Sequence, residues 1–335
     1  MPQLSLLIPI RNAEATVDQA LGSISAQTFR DWEAILVDDG SRDDTRRLLR
    51  AWVRRDPRMR LVTHVEPRGI VESLQHALSL AAAPLLGRMD ADDVSLPRRL
   101  ERQVARIAEG DVAAVGCRVR YFPDETVAGG ARRYETWLNS LTTPEEHDRD
   151  IFIECPLAHP TLVAQAGAVR EVGGYRDPGW PEDYDLLLRL WAAGYRMAKV
   201  PEVALLWREG SRRSSRQQPQ YSPEAFLRCK AHYLARTHLA EGRKPLIFGA
   251  GPVGKSIARA LEAEGISPTA FVDIDPRKVG HHLYGVPVLG HPEALPLRGE
   301  AYGLVALGQP GQREVLRRVL LAAGWREGPD FRCVA

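Results

Sequence analysis

Cysteine is scarce in this 335-residue sequence, and neither charge sign dominates it. Cys117, Cys155, Cys229 and Cys333 lie far apart with no C-x-x-C pair, which argues against a zinc site or a disulfide framework and leaves reduced, buried thiols as the expectation. The 45 Lys and Arg nearly cancel the 43 Asp and Glu, for a formal net charge of +2. That gives no global field for gripping nucleic acid, and none is expected as a partner. No window approaches about 18 uninterrupted apolar residues, and Met1 to Ile10 enters an apolar run without a basic leader. A soluble, cytoplasmic chain is therefore expected. Low-complexity tracts are missing too: with 44% hydrophobic and 26% charged residues, the composition is that of an ordinary globular protein.

What is present is strand and helix in alternation. Apolar runs at Leu4–Ile10, Trp32–Val37, Arg60–Val65 and Pro84–Met89 read as strands, each followed by a segment with apolar residues at helical spacing. Such alternation predicts a doubly wound α/β sheet with parallel strands. Two of the runs end in acid: Asp38-Asp39-Gly40-Ser41 after one, Asp90-Ala-Asp92-Asp93 after the other. Open α/β sheets bind ligands outside the carboxyl ends of their strands, so both acidic turns are expected at one pocket. Ser95 is positioned to cap a helix with Pro97 in its first turn. Between Asp111 and Trp207 the alternation weakens. Strands are expected at Val112–Arg120 and Thr161–Ala164, a turn at Gly173–Tyr175 and a helix at Glu182–Ala193, in a half suited to a second substrate.

A length of 335 residues suggests two domains. The basic run Arg208–Arg216, with Ser211, Ser214 and Ser215, suits a solvated loop as well as an anion or membrane-surface contact. A helix at Pro223–Leu239 then leads to Pro245–Phe248, the turn Gly249-Ala-Gly251-Pro-Val-Gly254, a helix, and a strand at Thr269–Val272 that delivers Asp273. This is the order of a dinucleotide-binding fingerprint: Gly249 for the tight turn, Gly251 for backbone approach to a pyrophosphate, Gly254 for close packing of helix on strand. The expected division is 1–215, a linking helix over 216–242, and a Rossmann-like unit over 243–335 that binds a nucleotide or nucleotide sugar, or that serves only for packing.

Asp90 and Asp92, one residue apart on a strand-end turn, can bind a divalent cation that also bridges the phosphates of a nucleotide diphosphate. Alone, a D-x-D pair is as readily a solvated turn. Its surroundings decide otherwise. Ile8-Pro9, Ser25-Ala-Gln27-Thr28, Val37-Asp38-Asp39-Gly40-Ser41, Arg88-Met-Asp90-Ala-Asp92-Asp93 and Glu182-Asp183-Tyr184-Asp185-Leu186, in this order, resemble the nucleotide-sugar half of family 2 glycosyltransferases with the A-type fold, over residues 1–210. The tail resembles the small Rossmann-like domains that begin bacterial sugar acetyltransferases, sharing phrases at Phe248–Gly251, Phe271–Asp273 and Gly285–Val288.

The first resemblance implies inverting transfer of a sugar from a UDP- or GDP-sugar, with Mn2+ or Mg2+ at Asp90 and Asp92. It implies that Asp39, or else Asp38, accepts a hydrogen bond from the base, an acidic acceptor that suits a uracil or guanine ring N–H. Pro9 lines the nucleoside pocket, and Arg11 and Arg68 are candidate phosphate or base contacts. Asp183 is the implied general base. His159, in a His-Pro-Thr sequence, is either a packed histidine or a phosphate or metal contact. The segment Trp207–Arg216 lacks the Gln-x-x-Arg-Trp motif of processive members, which implies addition of one or a few sugars. The acceptor, a sugar or a lipid-linked glycan in polysaccharide or glycoconjugate synthesis, is unnamed, and the expectation leaves room for peripheral contact at the inner face of a membrane and for a homo-oligomer. The competing readings are a nicotinamide-dependent oxidoreductase centred on Gly249, which does not account for residues 1–210, and a non-catalytic nucleotide-sugar scaffold. A nucleotidyltransferase would place a glycine-rich loop where Arg11-Asn-Ala-Glu stands.

Overall fold

Short apolar runs closed by Asp, Gly or Pro become strands, and the helices between them bury one apolar face each. The computed structural model describes residues 1–210, 218–309 and 311–335. Its chain divides into two compact units: Met1–Asp148, Pro156–Pro178 and Glu182–Gln217 form the first; Arg149–Cys155, Gly179–Pro181 and Gln218–Ala335 form the second.

Among the described residues the first unit holds eight strands: β1 (Leu4–Ile10), β2 (Trp32–Asp39), β3 (Met59–His64), β4 (Leu85–Arg88), β5 (Val94–Ser95), β6 (Ala114–Phe122), β7 (Val163–Gln165) and β8 (Met197–Arg208). They lie in the order β3-β2-β1-β4-β7-β6-β8-β5. The expected parallel pairing holds for the first four, with Pro9 opposite Val37 and Ile10 opposite Asp38. Beyond β4 the sheet is mixed. β7 runs antiparallel to both β4 and β6, β8 runs parallel to β6 through a bulge at Cys117–Val119, and β5 is antiparallel to β8. Leu4, Leu6, Ile8 and Ile10 of β1 are buried with Leu21 and Ile24 of the helix Val17–Ser25 and with Trp52 of the helix Thr45–Arg55.

Two local expectations are revised. Ser95 does not cap a helix: its N–H donates to the Ser23 hydroxyl at 3.0 Å and its backbone pairs with Leu205 in the sheet. The helix starts later, at Arg99, and the Pro97 carbonyl accepts the Thr28 N–H at 2.8 Å. The first helix, which the spacing of Val17, Leu21 and Ile24 predicts over Ala13–Ala26, starts at Val17, because the preceding segment is tied to the next loop, with the Ala13 N–H on the Thr45 hydroxyl at 2.7 Å.

The second unit holds β9 (Lys244–Phe248), β10 (Ala270–Val272), β11 (His282–Leu283), β12 (Val286–Leu289), β13 (Ala301–Val305) and β14 (Phe331–Cys333), in the order β11-β12-β10-β9-β13-β14. All neighbours are parallel except β11 and β12, a hairpin turned by Tyr284 and Gly285, both at positive φ (54° and 79°) as a tight two-residue turn requires. All four cysteines are buried and no disulfide joins them. Among the described residues no helix is long and apolar enough to cross a membrane.

Candidate functional site at the strand ends

Because β3, β2, β1 and β4 are parallel neighbours, the loops after them leave the sheet on one side. They are laced to one another. The Asn12 N–H donates to the Ser41 hydroxyl at 3.0 Å, the Asn12 side-chain carbonyl accepts the Arg42 N–H at 2.9 Å, and the Thr16 hydroxyl reaches the Ala91 carbonyl at 2.9 Å. Pro9, Asp38 and Asp39 therefore lie at the carboxyl ends of β1 and β2, and Arg11, Arg68, Asp90 and Asp92 in the loops that follow β1, β3 and β4. The side chains of Arg11 and Arg68 are exposed.

The two acids of the first turn differ. Asp38 is fully buried and spends its oxygens locally, on Arg46 Nε at 2.7 Å and the Ser41 N–H at 3.1 Å. Asp39 instead joins two loops: it accepts the Arg68 N–H at 2.8 Å and the Gly69 N–H at 2.9 Å from the turn after β3, and the His64 ring at 2.8 Å. Burial pushes its carboxyl up, but these donors outweigh burial and hold it below its ordinary value. His64 escaped sequence reading. Its only signal is that it ends β3 next to the strand carrying the acidic turn.

At the second acidic turn, carboxylate oxygens of Asp90, Asp92 and Asp93 lie within 4.8 Å of one another. Asp93 accepts the Arg208 N–H at 2.7 Å, while Arg208 Nε donates to the Asp92 carbonyl at 2.6 Å. Arg208 thus fastens the turn from the end of β8; residues 211–216 of the expected basic run lie outside the described residues. Arg88, 3% exposed, ion-pairs with Asp90. Tyr175 and Glu182 lie close enough to favour its charged form as well.

His159, which the sequence reading places on an acceptor-side strand, is buried in a short 3-10 turn. Its Nε2 lies 3.0 Å from the Tyr175 hydroxyl and its Nδ1 3.8 Å from Glu182, while burial, with Arg88 nearby, holds its pKa well below the ordinary value. The ring is neutral at physiological pH. Arg99, buried below this turn, donates to the Pro160 carbonyl at 2.6 Å, and burial pulls its guanidinium down to about 10. Asp183 opens the helix Glu182–Ala192, accepts the Tyr184 N–H at 2.7 Å, and shares a small recess with Leu157, His159, Leu162 and Leu187. Through Arg88, Tyr175 and Glu182, the metal-type cluster and the neighbourhood of Asp183 form one electrostatic network, since Tyr175 senses Arg88, Glu182 and Asp183 alike.

In the second unit, Gly249 has φ +118° and follows β9; a Cβ there would meet the Ala306 carbonyl at 2.7 Å. A Cβ on Gly254 would lie 1.8 Å from the Gly249 carbonyl, whereas one on Gly251 would meet nothing within 4 Å. Asp273 accepts the Ala250 N–H at 3.1 Å and pairs with Lys278 at 2.8 Å. The carboxylate expected twenty or so residues after the glycines thus braces the glycine turn itself.

Residues 5–166 match the family description Glycosyl transferase family 2. EpsE of Bacillus subtilis, named as a glycosyltransferase, is 32% identical over 255 residues, covering 73% of this chain and 88% of that protein. The chain belongs to glycosyl transferase family 2. Among solved structures, residues 1–349 of S. aureus TarS in complex with UDP-GlcNAc superpose with a TM-score of 0.59 at 18% identity, covering 78% of this chain and 72% of that one. The mannosyltransferase PcManGT from Pyrobaculum calidifontis, in complex with GDP-Man and Mn2+, gives 0.52 at 21% identity, over 78% and 69% of the two chains. These likenesses fix the fold of this family 2 glycosyltransferase as A-type.

Proposed function

We propose that this family 2 enzyme transfers a sugar, non-processively and with inversion, from a nucleotide-diphosphate sugar to an acceptor hydroxyl of a saccharide or lipid-linked glycan in polysaccharide or glycoconjugate synthesis. The observation that carries the reading is the convergence of the Asp39 and Asp90–Asp93 turns on adjoining ends of parallel strands. In it, Asp39 accepts the base, Pro9 lines the nucleoside, and Arg11 and Arg68, both exposed, are free to swing onto base or phosphate.

A hard divalent cation such as Mn2+ or Mg2+ suits the carboxylate set, which offers only oxygen ligands. Asp90 and Asp92 would hold it, Asp93 being tied to Arg208. Bound there, the cation supplies charge that offsets the diphosphate leaving group. Asp183 takes the acceptor hydroxyl's proton while that oxygen bonds to the anomeric carbon and the bond from carbon to diphosphate breaks on the opposite face. His159 is a poor rival for that role, because its Nε2 is engaged by Tyr175. The Rossmann-like unit, with the open face at Gly251, is proposed to take a second nucleotide or nucleotide sugar at Gly249, Gly251, Gly254 and Asp273.

The test is release of nucleoside diphosphate by the full chain from a donor panel with Mn2+ or Mg2+ and mixed acceptors, alongside donor binding. Turnover with one donor, lost on chelation and in Asp92→Ala, is expected. Absence of both turnover and binding across the whole panel overturns the proposal.

A further inference from the structure

The Asp39 carboxylate is nearly filled before any ligand arrives. Each carboxylate oxygen offers two in-plane acceptor directions. Oδ1 uses both, on the Arg68 N–H and on His64 Nδ1, each at 2.8 Å; Oδ2 uses one, on the Gly69 N–H at 2.9 Å. An ionised carboxylate only accepts, so His64 carries its proton on Nδ1 and turns Nε2 to His76 Nδ1, 3.0 Å away. The two imidazoles lie parallel, 7° apart in plane, which holds His64 in that orientation. Asp39 and His64 are 4% and 3% exposed, so water cannot readily replace either partner. One acceptor direction remains, on Oδ2.

The bases differ in what they ask of a carboxylate. Uracil and thymine present a single ring N–H between two carbonyls and need one acceptor. Guanine presents N1–H and N2–H side by side and needs both oxygens at once, but Oδ1 has no direction left. Cytosine and adenine place a ring-nitrogen lone pair beside their amino donor, and that lone pair would face the anion. We infer that the Asp39 site selects a pyrimidine with an imide N–H, so that the donor is a uridine or thymidine diphosphate sugar and not a guanosine one. The inference rests on the proposed reading of Asp39 as the base acceptor. His64 is then a positioning residue: it occupies Oδ1 and fixes the carboxylate plane.

The test is calorimetric titration of the full chain, with Mn2+ present, by UDP, dTDP, GDP, CDP and N3-methyl-UDP, whose diphosphates are alike. UDP, alone or with dTDP, should bind about tenfold to a hundredfold tighter than GDP and CDP, and N3-methylation should cost UDP a similar factor, since each lost or unmatched bond to a charged acceptor is worth that much. In His64→Phe, which frees a direction on Oδ1, the preference for UDP over GDP should shrink by about tenfold, a ratio that simple loss of packing does not move. If that variant fails to fold, the N3-methyl arm stands without it. GDP binding as tightly as UDP, with Asp39→Asn weakening GDP, overturns the inference and keeps Asp39 as base acceptor. Equal affinity for all five, unchanged in Asp39→Asn, overturns both.

Discussion

Asp183 and Asp92 are both carboxylates at element ends, and the proposed roles separate them by what their loss does. Asp183→Asn keeps the shape but cannot take a proton, so kcat should fall about 10²- to 10⁴-fold while donor affinity stays within about twofold. Asp92→Ala should instead weaken donor binding and abolish its dependence on Mn2+. Steady-state kinetics set beside titration calorimetry separate the two. A residue outside the site carries a pH prediction. His147 is 1% exposed, neither ring nitrogen has a partner among the described residues, and burial, reinforced by Lys199, pushes its pKa down to about 3. The unfolded chain regains an ordinary histidine, so below about pH 6.5 it binds a proton the native state refuses, and stability falls as pH falls toward 3. Between pH 7 and 5 this amounts to about 2 kcal/mol, and His147→Leu should lose that much less than wild type in urea unfolding at the two pH values. The acids of the site were legible because motifs name them. His64 and Tyr175 were not, because they act through partners distant in sequence, and only folding brings Asp39 to His64 or His159 to Tyr175; Arg88 stands in the motif itself, two residues before its partner Asp90.

At the scale of elements, turn geometry decides more than helix or strand propensity. Gly40, directly after Asp39, has φ +66°, and a Cβ there would approach the Pro67 backbone nitrogen at 2.8 Å. Gly40→Ala should therefore cost about 2 kcal/mol, combining left-handed strain with the clash, and should weaken donor binding by moving the Asp39 turn. The urea midpoint and donor titration read the two effects. In the second glycine turn, a Cβ on Gly254 collides with the Gly249 carbonyl while one on Gly251 meets open space. Gly254→Ala should lower the melting temperature; Gly251→Ala should leave it unchanged and still block any nucleotide bound over that turn. The same contrast explains which elements could be read. β1, β2 and β9 are apolar runs closed by turn residues. β8 was missed although it spans twelve residues, because Lys199, Glu202 and Arg208 interrupt its apolar pattern. Lys199 is nonetheless 2% exposed, its ammonium bonded to the Leu138 carbonyl, and Arg208 holds the acidic turn.

For the whole molecule, the sequence predicts units over 1–215 and 243–335 joined by a linking helix over 216–242, whereas the two compact units of the fold are each made of several chain segments. Arg149–Cys155 and Gly179–Pro181 belong to the second unit although they precede β8. No periodicity signals this, since it depends on partners that come later in the chain. Lys230, 6% exposed on the helix Pro223–Arg236, donates to the Ile153 carbonyl at 2.6 Å and the Val334 carbonyl at 3.1 Å. Arg317 pairs with Asp150 at 2.8 Å, and Arg228 donates to the Gly179 carbonyl at 2.7 Å. A fragment starting at residue 243 keeps the glycine fingerprint and loses the helix that carries Cys229, Tyr233 and Leu234 into the core. A fragment starting at 218 keeps that helix but leaves the buried Lys230 ammonium short of one acceptor and Arg317 without Asp150, a loss of about 3–5 kcal/mol. Far-UV circular dichroism should show no cooperative melt for 243–335 and a lowered one for 218–335, while Asp150→Asn in the full chain should cost about 1–3 kcal/mol. A 243–335 fragment that melts cooperatively at the temperature of the full chain would show that the glycine unit stands alone and that Arg149–Cys155 adds nothing to it.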